Sequence, residues 1–184
     1  MVYAMNRIIF LDFDGVLNTE NYQVQLRREG RTVSDEYGSL FDQAAIENLK
    51  RILDAVPEVR IVVESSWKVA GLGQLRRMWM KRGLPGKIHD VTPDIFGEEL
   101  LTLDLSDPNV MTKLEGLGKG REISDWLEQH TDGECRYAIL DDVPEFSGGL
   151  AAHHVLVRPD TGITAAEVDK VIRLLEDPAV KPDP

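Results

Sequence analysis

Three apolar segments of this chain run directly into residues that can do chemistry. Ile8-Ile9-Phe10-Leu11 leads into Asp12, Phe13, Asp14 and Gly15. Ile61-Val62-Val63 leads toward Ser65 and Ser66, and Tyr137-Ala138-Ile139-Leu140 leads into Asp141 and Asp142. Residues two apart on a strand share a side, so in an extended chain Asp12 and Asp14 point the same way. Close like charges raise each other's pKa unless a cation neutralises them. A divalent ion such as Mg²⁺ suits oxygen ligands and substrate phosphates. One carboxylate can then act as a nucleophile and the other as a general acid/base. The plainer alternatives are solvated Asp-Gly and Asp-Asp turns and a serine that caps the next helix.

The elements that must position these residues follow from periodicity. Short β-branched and apolar runs bounded by polar residues read as buried parallel strands. In an open α/β sheet, ligands bind just beyond the carboxyl ends of the strands, where Asp12, Ser65 and Asp141 would lie. Ile46, Leu49, Ile52 and Leu53 predict an amphipathic helix ending before Pro57. Leu72, Leu75, Met78 and Trp79 predict another, closed by Gly83-Leu84-Pro85-Gly86. Lys87–Val91 reads as a third strand, Ala152–Val157 as a fifth, and Thr164–Leu175 as a closing helix with a Thr164/Glu167 capping box. Lys119 stands just before Ile123, Trp126 and Leu127, which predicts a helix starting there and a lysine at its anion-friendly N-terminus, with Arg121 the alternative. Alternating strands and helices argue for a three-layer α/β sandwich with a mostly parallel sheet.

In order over residues 8–142, these segments resemble the four motifs of the haloacid dehalogenase (HAD) superfamily of phosphohydrolases. The resemblance implies that Asp12 is phosphorylated and that Asp14 protonates the leaving group. It also implies Mg²⁺ as cofactor, held by Asp12, by the backbone carbonyl of Asp14, and by Asp141 or Asp142. Asp141 is the expected direct ligand, and Asp142 acts through water or orients Lys119. Ser65, with Ser66 the fallback, would hydrogen-bond a phosphoryl oxygen, and Lys119 would counter the charge of the nucleophile and the phosphoryl group. Ser65-Ser66-Trp67-Lys68 is similar to Ser-Ser-Trp-Arg in a branch that includes HAD domains attached to RNA-repair proteins. Lys68 keeps the arginine's charge but lacks its planar fork, and Trp67 is expected in the core or as a pocket wall.

The implied architecture is a single HAD-like Rossmannoid domain over 1–176 with a minimal cap and a flexible tail at 177–184. Residues 18–41 are too few and too polar for a cap with its own core. A short flap or lid is expected there, from which Tyr22, Arg27, Arg28 and Arg31 could reach the site. Residues 92–118 read as an irregular insertion whose acids Asp94, Glu98, Glu99, Asp104 and Asp107 are solvated. A small cap implies an open site, which in this superfamily often serves large substrates.

Composition narrows the partners. Across 184 residues the formal charge is −11, and the isoelectric point is about 4.8. Tight non-specific nucleic-acid binding needs basic surface to replace counterions, so a nucleic-acid end ranks below an unspecified phosphomonoester, although Arg76, Arg77, Lys81 and Arg82 could form a local patch. One cysteine, Cys135, excludes an internal disulfide, and His89, His153 and His154 lack zinc-motif spacing. No signal peptide or membrane span is legible, which leads to the expectation of a cytoplasmic protein. The expected activity is phosphomonoester hydrolysis through an aspartyl-phosphate. The alternatives are an end-processing phosphatase, transfer to an acceptor other than water, or a binding module that kept the fold and lost turnover.

Overall fold

In the computed structural model the described residues are 6–95, 110–131, 135–144 and 146–177. A five-stranded sheet forms their centre: β1 (Asn6–Leu11), β4 (Arg60–Val63), β5 (Ile88–Val91), β6 (Cys135–Asp141) and β7 (His154–Leu156). Its order is β5-β4-β1-β6-β7, and every pairing is parallel. The helices are α1 (Glu20–Arg28), α2 (Gln43–Ala55), α3 (Leu72–Lys81), α4 (Val110–His130) and α5 (Ala165–Glu176).

Side-chain alternation sorts the core into two faces. The odd positions of β1 and β4, Ile9, Leu11, Ile61 and Val63, pack with Ala138 and Leu140 of β6 against α2, α3 and α5. The even positions Ile8, Phe10 and Val62 pack with Tyr137 and Ile139 against Ile123 and Trp126 of α4. This is the three-layer α/β arrangement that the sequence predicts, with a parallel sheet flanked by helices. Local capping agrees with it. Thr164 and Glu167 form the expected capping box of α5, and Asp42 accepts from the Ala44 N–H to start α2.

Between β1 and α2 lie α1 and a two-stranded hairpin, β2 (Ser34–Asp35) and β3 (Gly38–Ser39). Arg82 anchors the hairpin. Its guanidinium donates to both oxygens of Asp35 and to the carbonyls of Gly38 and Ser39, and it lies 4.6 Å over the Phe41 ring. Lys81 pairs with Glu36. The basic residues along and just past α3 that could form a local patch are therefore largely committed: Lys81 and Arg82 hold the hairpin, Arg76 donates to the carbonyls of Ile88 and His89, and Arg77 to Gln74. Arg31 of the preceding loop pairs with Glu29.

Two sequence expectations need correcting. Lys119 does not precede a helix but lies inside α4, so the N-terminus argument for its placement fails. Gly118 and Gly120, on either side of it, are buried within that helix. A Cβ on Gly120 would lie 3.4 Å from Leu150 and 3.6 Å from Phe146, so here glycine serves close packing. The last strand is also shorter than Ala152–Val157: Gly148–His153 is a 3-10 turn, and only His154–Leu156 pairs. Of the proposed insertion, 96–109 lie outside the described residues, as do 178–184 of the tail.

Candidate active site

Three adjacent strands end in acids at the same level. Leu11 pairs with Val63 on one side and Leu140 on the other. One residue further, Glu64, Asp12 and Asp141 therefore form a row across β4, β1 and β6. The backbone continues the ladder, since Glu64 N–H donates to Leu11 and Asp12 N–H to Leu140. All three continue the parity of the face under α4. Lys119 shares a helix face with Ile123 and Trp126, four and seven residues on, and those two are buried on that same face of the sheet. Its ammonium thus lands on the acid row. It donates to Asp12 Oδ2 at 2.8 Å and to Asp141 Oδ2 at 2.7 Å, and stands 3.8 Å from Glu64 Oε1.

The remaining oxygens of the two aspartates are fixed by backbone donors. Phe13 N–H donates to Asp12 Oδ1 at 2.6 Å and Val143 N–H to Asp141 Oδ1 at 2.8 Å. Glu64 is different: it is fully buried and neither carboxylate oxygen accepts a hydrogen bond. Burial and the neighbouring Asp141 push the Asp12 carboxyl up to about 7, against the lowering pull of Lys119. The same two causes raise Glu64 well above the ordinary range. Burial works against the charge on Lys119, yet Glu64, Asp12 and Asp141 together hold it firmly protonated.

Asp12, Asp141 and Asp142 bring carboxylate oxygens within 4.8 Å of one another, with Asp12 and Asp141 buried and Asp142 half-buried. This group could hold a metal ion. Gly15 makes room for it. Its φ of +71° is one that L side chains rarely adopt, and a Cβ there would stand 2.8 Å from Asp142 Cγ and collide with its carboxylate.

Asp14 does not join this group, because the chain does not stay extended past Asp12. Phe13 C=O accepts from the N–H groups of Val16, Leu17 and Asn18, closing a tight turn. Asp14 is exposed at that turn. Asn18 donates to its Oδ1 at 2.6 Å and the Trp67 indole N–H to its Oδ2 at 3.0 Å. Sequence reading placed Trp67 in the core or a wall. It is half-buried beside Phe13 and Phe41, but its N–H on Asp14 carried no sequence signal.

Ser65 is buried at the end of β4, and its hydroxyl makes no hydrogen bond, whereas Ser66 is exposed and opens a 3-10 turn. Lys68 stays away from the acid row. Its side chain is largely covered, is paired with Glu122, and donates to Thr92 and the Pro93 carbonyl. Arg121 is exposed on α4. Glu64 was passed over in sequence, although it is a third acid closing a third apolar strand.

Residues 8–168 match the family described as the HAD domain in Swiss Army Knife RNA repair proteins. The chain belongs to that family. No curated protein and no solved structure matches it. Among the described residues, no helix is long and apolar enough to cross a membrane.

Proposed function

We propose that this chain is a Mg²⁺-dependent phosphatase that hydrolyses a phosphomonoester through an aspartyl-phosphate on Asp12. The observation that carries this reading is the convergence of Asp12, Lys119, Asp141 and Asp142 at the carboxyl edge of a parallel sheet. The donor set fits Mg²⁺. It is all oxygen, it is closely spaced, and among the described residues a single ammonium faces the carboxylates. Asp12, Asp141 and Asp142 would hold the ion, which when bound supplies Lewis-acid stabilisation of phosphoryl charge.

The protein's own groups supply the rest. The Phe13 N–H fixes the Asp12 carboxylate as nucleophile. Asp12 attacks phosphorus as the bond to the leaving oxygen breaks, and Asp14 gives that oxygen its proton. Asp14, held by Asn18 and Trp67, then takes a proton from the water that attacks phosphorus and releases Asp12. Lys119 and the unpartnered hydroxyl of Ser65 offer donors to the phosphoryl oxygens.

A second reading concerns the substrate. Membership in a family of RNA-repair domains favours the phosphorylated end of an RNA, against the overall charge of −11. The test is phosphate release from p-nitrophenyl phosphate, phosphorylated metabolites, and oligoribonucleotides phosphorylated at either end, with Mg²⁺ or EDTA. Metal-dependent release abolished by Asp12→Asn supports the phosphatase, and the best substrate ranks the two classes. Undiminished release by Asp12→Asn sinks the assignment, and silence across the panel with Mg²⁺ bound favours a non-catalytic module.

A further inference from the structure

Lys68 and Glu122 have no part in the chemistry described so far, yet each stands one turn away from a group offered to the phosphoryl oxygens. Lys68 follows Ser65 by three residues, and its N–H donates to the Ser65 carbonyl at 2.9 Å. Glu122 follows Lys119 by three residues within α4, so the two share a helix face. The Lys68 ammonium and the Glu122 carboxylate pair with side chains only 8% and 4% exposed. The pair also grips the chain that leaves β5. The ammonium donates to Thr92 Oγ1 at 3.1 Å and to the Pro93 carbonyl at 2.9 Å, and the Ile95 N–H donates to Glu122 Oε1 at 3.1 Å. Thr92 is fixed in turn, since its N–H donates to the Val63 carbonyl at the end of β4. Net stability is a poor reason for such a pair, because well-packed apolar residues of similar volume often serve as well or better. A covered polar network whose members are all satisfied instead rigidifies one geometry.

We propose that Lys68 and Glu122 are positioning residues that hold Ser65 and Lys119 in register with each other at the transferring phosphoryl group. The inference rests on the phosphatase reading above. Ser65 ends a strand and Lys119 rides on a helix in the layer above it, and a strand and a helix share no backbone ladder that could fix the spacing of the two donors. The ion pair supplies that link, Lys68 from the Ser65 side and Glu122 from the Lys119 side. Both act through these two residues and not on the reacting atoms. Donors aimed at developing charge lose much of their effect when they are displaced by a fraction of an ångström to an ångström.

Steady-state kinetics of the full chain on p-nitrophenyl phosphate with Mg²⁺, run beside urea unfolding, test this with Lys68→Met and with the double variant Lys68→Met/Glu122→Leu. Lys68→Met should lower kcat about tenfold or more, with a smaller change in KM. The double variant leaves neither charge unpaired and keeps the net charge of the chain, so its stability should recover toward that of the wild type. Its kcat should stay low, because the turn after Ser65 is no longer tied to α4. A kcat that recovers with the stability overturns the proposal, since the pair would then serve the fold alone, and so does a wild-type kcat in Lys68→Met. If Lys68→Met does not fold, the double variant carries the comparison by itself: low kcat at wild-type stability supports the proposal, and wild-type kcat overturns it. No metal-dependent turnover by the wild-type chain would remove the phosphatase reading and this inference together. Turnover that is indifferent to the pair would remove only the inference.

Discussion

Without metal, this protein is expected to lose stability as the pH rises from about 4 to 7. Asp12 is the main cause. Its carboxyl titrates at about 7 in the fold and at 3.8 in the unfolded chain, because burial and Asp141 disfavour its charge. Between those values the folded state holds a proton that the unfolded state has released, so each rise in pH favours unfolding. The slope is about 1.4 kcal/mol per pH unit, or roughly 4 kcal/mol across the window. For a chain of this length each kcal/mol moves Tm by about 2–4 °C, so a fall on the order of 10 °C follows. Glu64, raised by the same causes, acts in the same direction. Asp35, held below its ordinary range by hydrogen bonds from Arg82, acts oppositely but at lower pH. The assay is thermal unfolding by circular dichroism in EDTA at several pH values, repeated in saturating Mg²⁺. The ion binds deprotonated carboxylates, so Mg²⁺ should stabilise more at higher pH. Asp12→Asn should flatten the slope in EDTA. A metal-free Tm that stays level or climbs between pH 4.5 and 7 would refute the account of the acid row.

Gly15→Ala should weaken Mg²⁺ binding at least tenfold, because the new methyl collides with the Asp142 carboxylate and φ is +71°; calorimetry that finds wild-type affinity would show that Asp142 is not a ligand. Trp67→Phe keeps the ring packing on Phe13 but removes the N–H on Asp14. It should slow alkyl phosphates several-fold more than p-nitrophenyl phosphate, whose leaving group needs little protonation, and equal slowing of both would count against Asp14 as the acid. Lys68→Met leaves Glu122 buried without its cation and should cost about 3–5 kcal/mol by urea unfolding, whereas a loss under 1 kcal/mol would mean that the pair is replaceable.

What was legible in the sequence is a parallel sheet with acids at its carboxyl edge. Apolar strands of four or five residues stop abruptly at Asp12 and Asp141, and the stops coincide in space because the strands are parallel and aligned. The capping box of α5 was legible for the same local reason. What was not legible depends on packing between distant segments. The helix was expected to start at Lys119 because the apolar spacing begins at Ile123, and nothing local reveals that Leu150 and Phe146 pack against Gly120 further up the same helix. Lys119 was singled out on a helix N-terminus that the structure does not have and on its place ahead of the Asp141-Asp142 pair, and only the second ground stands. Strand alternation puts Asp12 and Asp14 on one side only if the chain stays extended, and past the strand's end the Phe13 carbonyl turns it instead. The tie of Trp67 to Asp14 joins residues 53 apart and has no periodic signature.

The acid row is assembled from parts of the chain that meet only when the sheet is complete. Asp12 and Lys119 are 107 residues apart, and Asp141 enters through a different strand from either Asp12 or Glu64. No fragment that lacks one of β1, α4 or β6 can present the cluster. On the proposed metal-dependent reading, cation uptake is an all-or-none reporter of folding: in a refolding experiment, uptake should lag behind the recovery of helical signal and coincide with closure of the central three strands. Circular permutants or split chains that rejoin β1 to β6 should regain metal binding in one step, with no partial site in between.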